Sequence, residues 1–118
     1  MYGKESVIPW RWTPPEVFER NYWNQKSDVW SFGVTLWEIF TNALIPYCHI
    51  SDDEELKVRV FKQGLRLSAP AGCPASVLDI MSRCWLHHTA ERPAFGDLAQ
   101  HLQDASSKYL QNGPLFVM

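Results

Sequence analysis

The chain has 118 residues, 46% apolar and 20% charged, values of a folded globular chain rather than a disordered one. Eleven Lys and Arg stand against thirteen Asp and Glu, a formal charge of −2, so no basic excess is available for charge-driven nucleic-acid binding. No apolar run approaches the 18 residues of a membrane-spanning helix. The first twenty residues carry Lys4, Glu5, Arg11 and Glu16 without an apolar core, unlike a signal peptide. Six tryptophans call for deep pockets between packed elements.

Taken in chain order, residues 1–15 read as irregular, punctuated by Pro9, Pro14 and Pro15. A short helix fits Pro15 to Arg20, with Pro15 in its first turn and Glu16 facing the helix dipole. Asn24 is a good N-cap for a helix from Gln25 to Thr41. In it Val29, Trp30, Phe32, Gly33, Val34, Leu36, Trp37, Ile39 and Phe40 cover nearly the whole circumference, interrupted beyond the first turn only by Ser31, Thr35 and Glu38. A helix apolar all round is a membrane span or the buried axis of a domain. This one is too short to span and carries Asp28 and Glu38, so it is expected at the centre.

Ser51 and Glu54 form a capping-box pattern for a helix to about Gln63, with Gly64 as its left-handed cap. Pro70, Gly72 and Pro74 mark a loop. Val77, Ile80, Met81, Cys84 and Trp85 then fall on one helical face. After Pro93, Phe95, Leu98, Ala99 and Leu102 repeat that spacing. The pattern lapses at Ser106, so 106–118 is expected as a mobile tail beyond a domain of residues 1–105. The expected architecture is all-α: about five helices around one fully buried central helix. Cys48, Cys73 and Cys84, 25 and 11 positions apart, match no zinc pattern and read as reduced thiols. Neighbouring His87 and His88 point about 100° apart on a helix and share no ligand face, so no metal site is expected.

Six segments occur in one order: IPWRWTPPE, KSDVWSFGVTLWEIFT, IPY, CP, MSRCW and ERPAF. Together they resemble the C-terminal lobe of a protein kinase domain from the end of the activation segment onward. The resemblance runs from about Val7 to Leu102. Pro9-Trp10-Arg11-Trp12, and Cys84-Trp85 followed by Glu91-Arg92-Pro93, are similar to the tyrosine-kinase branch.

The resemblance implies a role for several residues. Pro9, Trp10, Arg11 and Thr13 would belong to the loop that docks the protein substrate, Pro9 stacking on the tyrosine ring, with Trp12 in the core. Pro14-Pro15-Glu16 stands where that family has Ala-Pro-Glu, and Glu16 would pair with Arg92. Asp28 would hold backbone N–H groups of the catalytic loop. Thr35 and Ile39 would support the family's hydrophobic spine. Tyr2 would be an activation-loop phosphorylation site. Four positions depart from the pattern. Trp10 replaces Ile or Val, Pro14 replaces Ala, and Ala43 replaces Gly, which asks Asn42 to take a left-handed turn. Ala94 replaces a Ser or Thr helix cap, at about 1 kcal/mol.

The chain has no Gly-rich phosphate loop, no Val-Ala-x-Lys lysine, no His-Arg-Asp and no Asp-Phe-Gly. It is therefore expected to contribute no catalytic or cofactor-binding residue; ATP and Mg²⁺ would belong to the full-length parent. Two functions fit. The first is a fragment of a protein tyrosine kinase, partnered by the missing upstream half of the domain and by a tyrosine-containing protein substrate. The second is a pseudokinase-like interaction module without catalysis. The sequence upstream of Met1 separates them, and a Met1 that starts the protein would leave only the second. The expected location is the cytoplasm, or the cytoplasmic side of a membrane receptor.

Overall fold

The computed structural model describes residues 8–111. Five α-helices and no strand occur among them: α1 Pro15–Arg20, α2 Gln25–Phe40, α3 Asp53–Lys57, α4 Ala75–Cys84 and α5 Phe95–Gln111. Short 3-10 turns occupy Trp10–Trp12 and Thr89–Glu91, and a π-helical stretch, Val58–Lys62, continues α3.

Local chemistry accounts for the helix ends. Pro15 opens α1, and Asn21, left-handed at φ 52°, closes it, a conformation Asn adopts more easily than most residues. At α2, the Asn24 side chain accepts from the Ser27 N–H at 3.0 Å, while the Asn24 N–H donates to Ser27 Oγ at 3.1 Å. That reciprocal box satisfies two N–H groups the helix leaves free. The cap of α3 is Asp52, not Ser51: its carboxylate accepts from the Glu55 N–H at 3.0 Å. A charged acceptor at a helix N-terminus also gains from the dipole, which a hydroxyl does not. Gly64 has φ +80° after the π-helical stretch, as its place beyond a helix end requires. The connection from α2 to α3 holds two successive left-handed residues, Asn42 (φ 58°) and Ala43 (φ 70°). The strain expected at Asn42 alone is thus shared with an alanine, which is far less suited to it.

α2 is the central helix. Val29, Trp30, Gly33, Val34, Leu36 and Trp37 are buried in one core with Leu56, Phe61, Ile80, Met81, Trp85 and Leu98. α4 lies closest. A Cβ on Gly33 would stand 2.7 Å from both Cys84 Cβ and Trp85 Nε1, so the absence of a side chain at Gly33 sets the approach of the two helices. The burial of α2 is complete on one flank only. Phe32 is half-buried, Thr35 is exposed, and Ile39 is 68% exposed. These residues lie along one line of the helix; its Phe32 end packs against the core, and Thr35 and Ile39 are left exposed.

The last helix also differs from its sequence pattern. Phe95 (43% exposed) and Ala99 face outward, and Leu98, Leu102 and Ala105 form the inner face. Phe95 opens the helix and meets Phe32 edge-on at 6.1 Å instead of entering the core. Helical backbone continues past Ser106 to Gln111. The three cysteines are free thiols: Cys48 exposed, Cys73 half-buried, Cys84 buried. Burial pushes the Cys84 thiol up to about 12. No helix among the described residues is long and apolar enough to cross a membrane.

Candidate functional site

Glu16, in the first turn of α1, and Arg92, just after the Thr89–Glu91 turn, meet in the interior, each 2% exposed. Arg92 Nη1 donates to Glu16 Oε2 and Nη2 to Glu16 Oε1, both at 2.8 Å. The remaining donors go to carbonyls: Nε to Leu86 at 2.7 Å, Nη1 to Lys26 and Nη2 to His87 at 3.0 Å each. Ser27 Oγ donates to Glu16 Oε2 at 2.6 Å, and Lys26 Nζ donates to the Arg92 carbonyl at 2.7 Å.

A buried ion pair is tolerable when its lone pairs and protons are all used, and here all five guanidinium N–H groups are. Burial alone would raise the Glu16 pKa. The hydrogen bonds from Arg92 and Ser27, with the Arg92 charge, outweigh it and hold the carboxyl below the usual carboxylate range. The Arg92 guanidinium also lies over the Trp30 ring, 5.1 Å from its centre. Residues 76 positions apart are thereby joined through the central helix.

The preceding loop is held from three sides. Its 3-10 turn closes with the Trp12 N–H on the Pro9 carbonyl at 2.9 Å, and Thr13 Oγ1 donates to the same carbonyl at 2.6 Å. From α2, Ser31 Oγ donates to the Trp12 carbonyl at 2.6 Å, and Glu38 accepts from Trp12 Nε1 at 2.8 Å. Trp12 is half-buried against the core rather than inside it. Arg11 turns away from the loop's outer face: its fork donates to the carbonyls of Pro46, Tyr47 and Ile50 at 2.9, 2.8 and 2.6 Å. It thus ties the loop to the turn before α3.

Trp10 lies edge-on to Phe18 and to Phe61, each at 6.0 Å, with Lys57 Nζ 4.5 Å from its ring centre. The large ring closes the seam between loop, α1 and the π-helical stretch. Pro9 is left exposed at the tip.

Asp28 is exposed near the start of α2 and accepts from Trp23 Nε1 at 2.8 Å. With Phe32, Thr35 and Ile39 it runs along the open flank. Thr35 and Ile39 have no packed spine around them among the described residues. Tyr2 lies outside the described residues. His87 is half-buried, its Nε2 3.6 Å from Glu19 Oε2, and His88 is exposed. No group of three His, Cys, Asp or Glu side chains among the described residues is arranged to hold a metal ion.

Sequence reasoning missed the supporting residues Ser27, Ser31, Glu38 and Lys26. A signal for two of them was present: Ser31 and Glu38 are polar interruptions of an otherwise apolar helix, and both reach the loop. Nothing in the sequence marked Arg11 as a clamp on the 46–50 turn.

An all-helical fold built around one central helix, with a loop locked to it by a buried Glu–Arg fork, is the architecture implied by the resemblance to a kinase C-terminal lobe. The chain belongs to the family of protein tyrosine and serine/threonine kinases, which it matches over residues 2–102. It is 43% identical over 103 residues to the inactive tyrosine-protein kinase 7 of Gallus gallus, 86% of this chain and 10% of that protein. It is 44% identical over 100 residues to the tyrosine-protein kinase Srms of Homo sapiens, 85% of this chain and 20% of that one. To the tyrosine-protein kinase transforming protein Fps of Fujinami sarcoma virus it is 40% identical over 100 residues, 85% of this chain and 11% of the relative. The chain thus spans between about a tenth and a fifth of the length of these relatives.

Proposed function

We propose that this chain is the substrate-docking part of a protein tyrosine kinase, whose parent transfers phosphate from ATP, with Mg²⁺, to tyrosine in a protein substrate inside the cell. The observation that carries this reading is the loop of residues 9–13: clamped to α2 by Ser31 and Glu38 and to the 46–50 turn by Arg11, with only the Pro9 tip exposed. A loop held this firmly presents a fixed platform, and positioning is the main demand of phosphoryl transfer. In this reading Pro9 meets the substrate ring, Trp10 and Thr13 shape the loop, and the Glu16–Arg92 pair fixes its base. Asp28, Thr35 and Ile39 form the flank on which the upstream half, with its catalytic loop, is seated. Tyr2 is the candidate phosphorylation site.

The 118-residue chain on its own is inactive in this reading, because the phosphate loop, the lysine and both catalytic aspartates lie outside it. The test is phosphate incorporation into a tyrosine copolymer. The 118-residue chain is expected to give none, and a parent chain carrying the upstream motifs is expected to be active and to lose activity on Pro9→Gly. Incorporation by the purified 118-residue chain would refute the assignment. A parent that binds partners but transfers no phosphate would favour the second reading, a non-catalytic interaction module. That reading draws support from the 43% identity to a kinase named as inactive.

A further inference from the structure

Arg66 follows the π-helical stretch and lies over Trp30, its Cζ 4.8 Å from the ring centre. Its Nε donates to the Trp85 carbonyl at 2.9 Å, and Nη1 to the carbonyls of Val60 and Leu65 at 3.1 and 2.9 Å. Nη2 makes no hydrogen bond, and no carboxylate lies within ion-pair distance of the guanidinium among the described residues. Arg92 offers the contrast. It lies over the same ring, uses all its donors and has Glu16 against it. Burial pulls the Arg66 pKa down; the Tyr47 phenol opposes this and the nearby charge of Arg92 adds to it. Arg66 is half-buried, and the N–H groups of Nη2, without a protein acceptor, can donate to a bound anion.

Arg66 also lines an open cleft of about 240 Å³ between the 66–69 segment and α4, walled by Leu67, Leu78, Met81 and Trp85. The cleft rim is held by Trp37 Nε1, which donates to the Ser68 carbonyl at 2.7 Å. An apolar wall with one cationic, donor-bearing corner is the pattern of a small-ligand site. A guanidinium edge with free N–H groups suits a carboxylate.

We propose that this cleft binds a small aliphatic carboxylate, its carboxylate on Arg66 Nη2 and its chain against Leu78 and Met81. The site is separate from the substrate loop, and the inference does not depend on phosphotransfer.

The test uses the 118-residue chain labelled with ¹³C at the methionine methyls, since Met81 lines the cleft. The probes are hexanoate, 1-hexanol and acetate. Hexanoate is expected to shift the Met81 methyl signal saturably, with a dissociation constant on the order of 1 mM. Hexanol, lacking the charge, and acetate, lacking the chain, are expected to bind at least about tenfold more weakly. Ala69→Glu, at an exposed cleft position, places a competing carboxylate beside Arg66 and is expected to weaken hexanoate about tenfold or more. Ser82→Phe, also at an exposed position, fills the cleft without touching Arg66 and is expected to do the same. Equal titration by hexanol and hexanoate would overturn the role of Arg66. A Met81 signal unmoved by hexanoate, or both variants binding as well as wild type, would overturn the site.

Discussion

On one flank of α2, Ser27, Trp30 and Ser31 meet the Glu16–Arg92 pair and the loop of residues 9–13, and the buried charges of Glu16 and Arg92 answer each other. On the other flank, Asp28, Thr35 and Ile39 are exposed, and only Phe32 among them packs against the core and Phe95. Both flanks belong to one largely apolar helix, yet only one is sealed among the described residues. The difference shows where the polypeptide satisfies its own packing and hydrogen bonding, and where it leaves side chains of its central helix exposed. In the proposed reading this flank, with Ile39 exposed on a central helix, is where the upstream half is seated, in a chain that spans a tenth to a fifth of its relatives.

The largest effect is expected on the sealed flank. Arg92→Ala leaves Glu16 buried without a counter-charge and should cost about 3–5 kcal/mol. Arg92→Lys should recover only part of that, because an ammonium lacks the planar fork. Chemical denaturation reads both, and an Arg92→Lys chain as stable as wild type would break the account of the pair. The same pair sets an acid limit. The folded-state pKa of Glu16 lies below its ordinary value of 4.5, so its stabilisation is fully present above that value and is lost as pH falls through the lower, folded one. Glu16→Gln should flatten this acid-side loss of stability.

Next in size is Gly33→Ala, where the new Cβ would lie 2.7 Å from Cys84 Cβ and Trp85 Nε1. Overpacking of this kind costs about 1–3 kcal/mol. A neutral result would mean that α4 moves freely on α2. Smaller, and of opposite sign, is Ala43→Gly. Removing the Cβ from a residue at φ 70° should stabilise the chain by about 1 kcal/mol, seen as a higher denaturation midpoint.

Much of this was legible in the sequence because the signals were local. Asn24 as the cap of α2, the bounds of α1 and the inner face of α4 follow from capping and periodicity. Periodicity failed where it could not know what covers a surface. The apolar ring of α2 reads as buried all round, and Phe95 reads as core, because a pattern records hydrophobicity and not the neighbour that meets it. The pairing of Glu16 with Arg92 carries no periodic signal, and family resemblance was its only pointer. Arg11 stayed hidden since its three acceptors are backbone carbonyls, which the sequence does not distinguish.

The most direct test of the contrast between the flanks is the denaturation midpoint of Ile39→Ser in the 118-residue chain. Ile39 is 68% exposed here, and a surface change of this kind alters stability by no more than about 0.5 kcal/mol. A near-unchanged midpoint, beside the large loss for Arg92→Ala, is the predicted result. A loss of about 2 kcal/mol or more, the size of a core truncation, would contradict the account by showing that the outer flank of α2 is already covered within this chain.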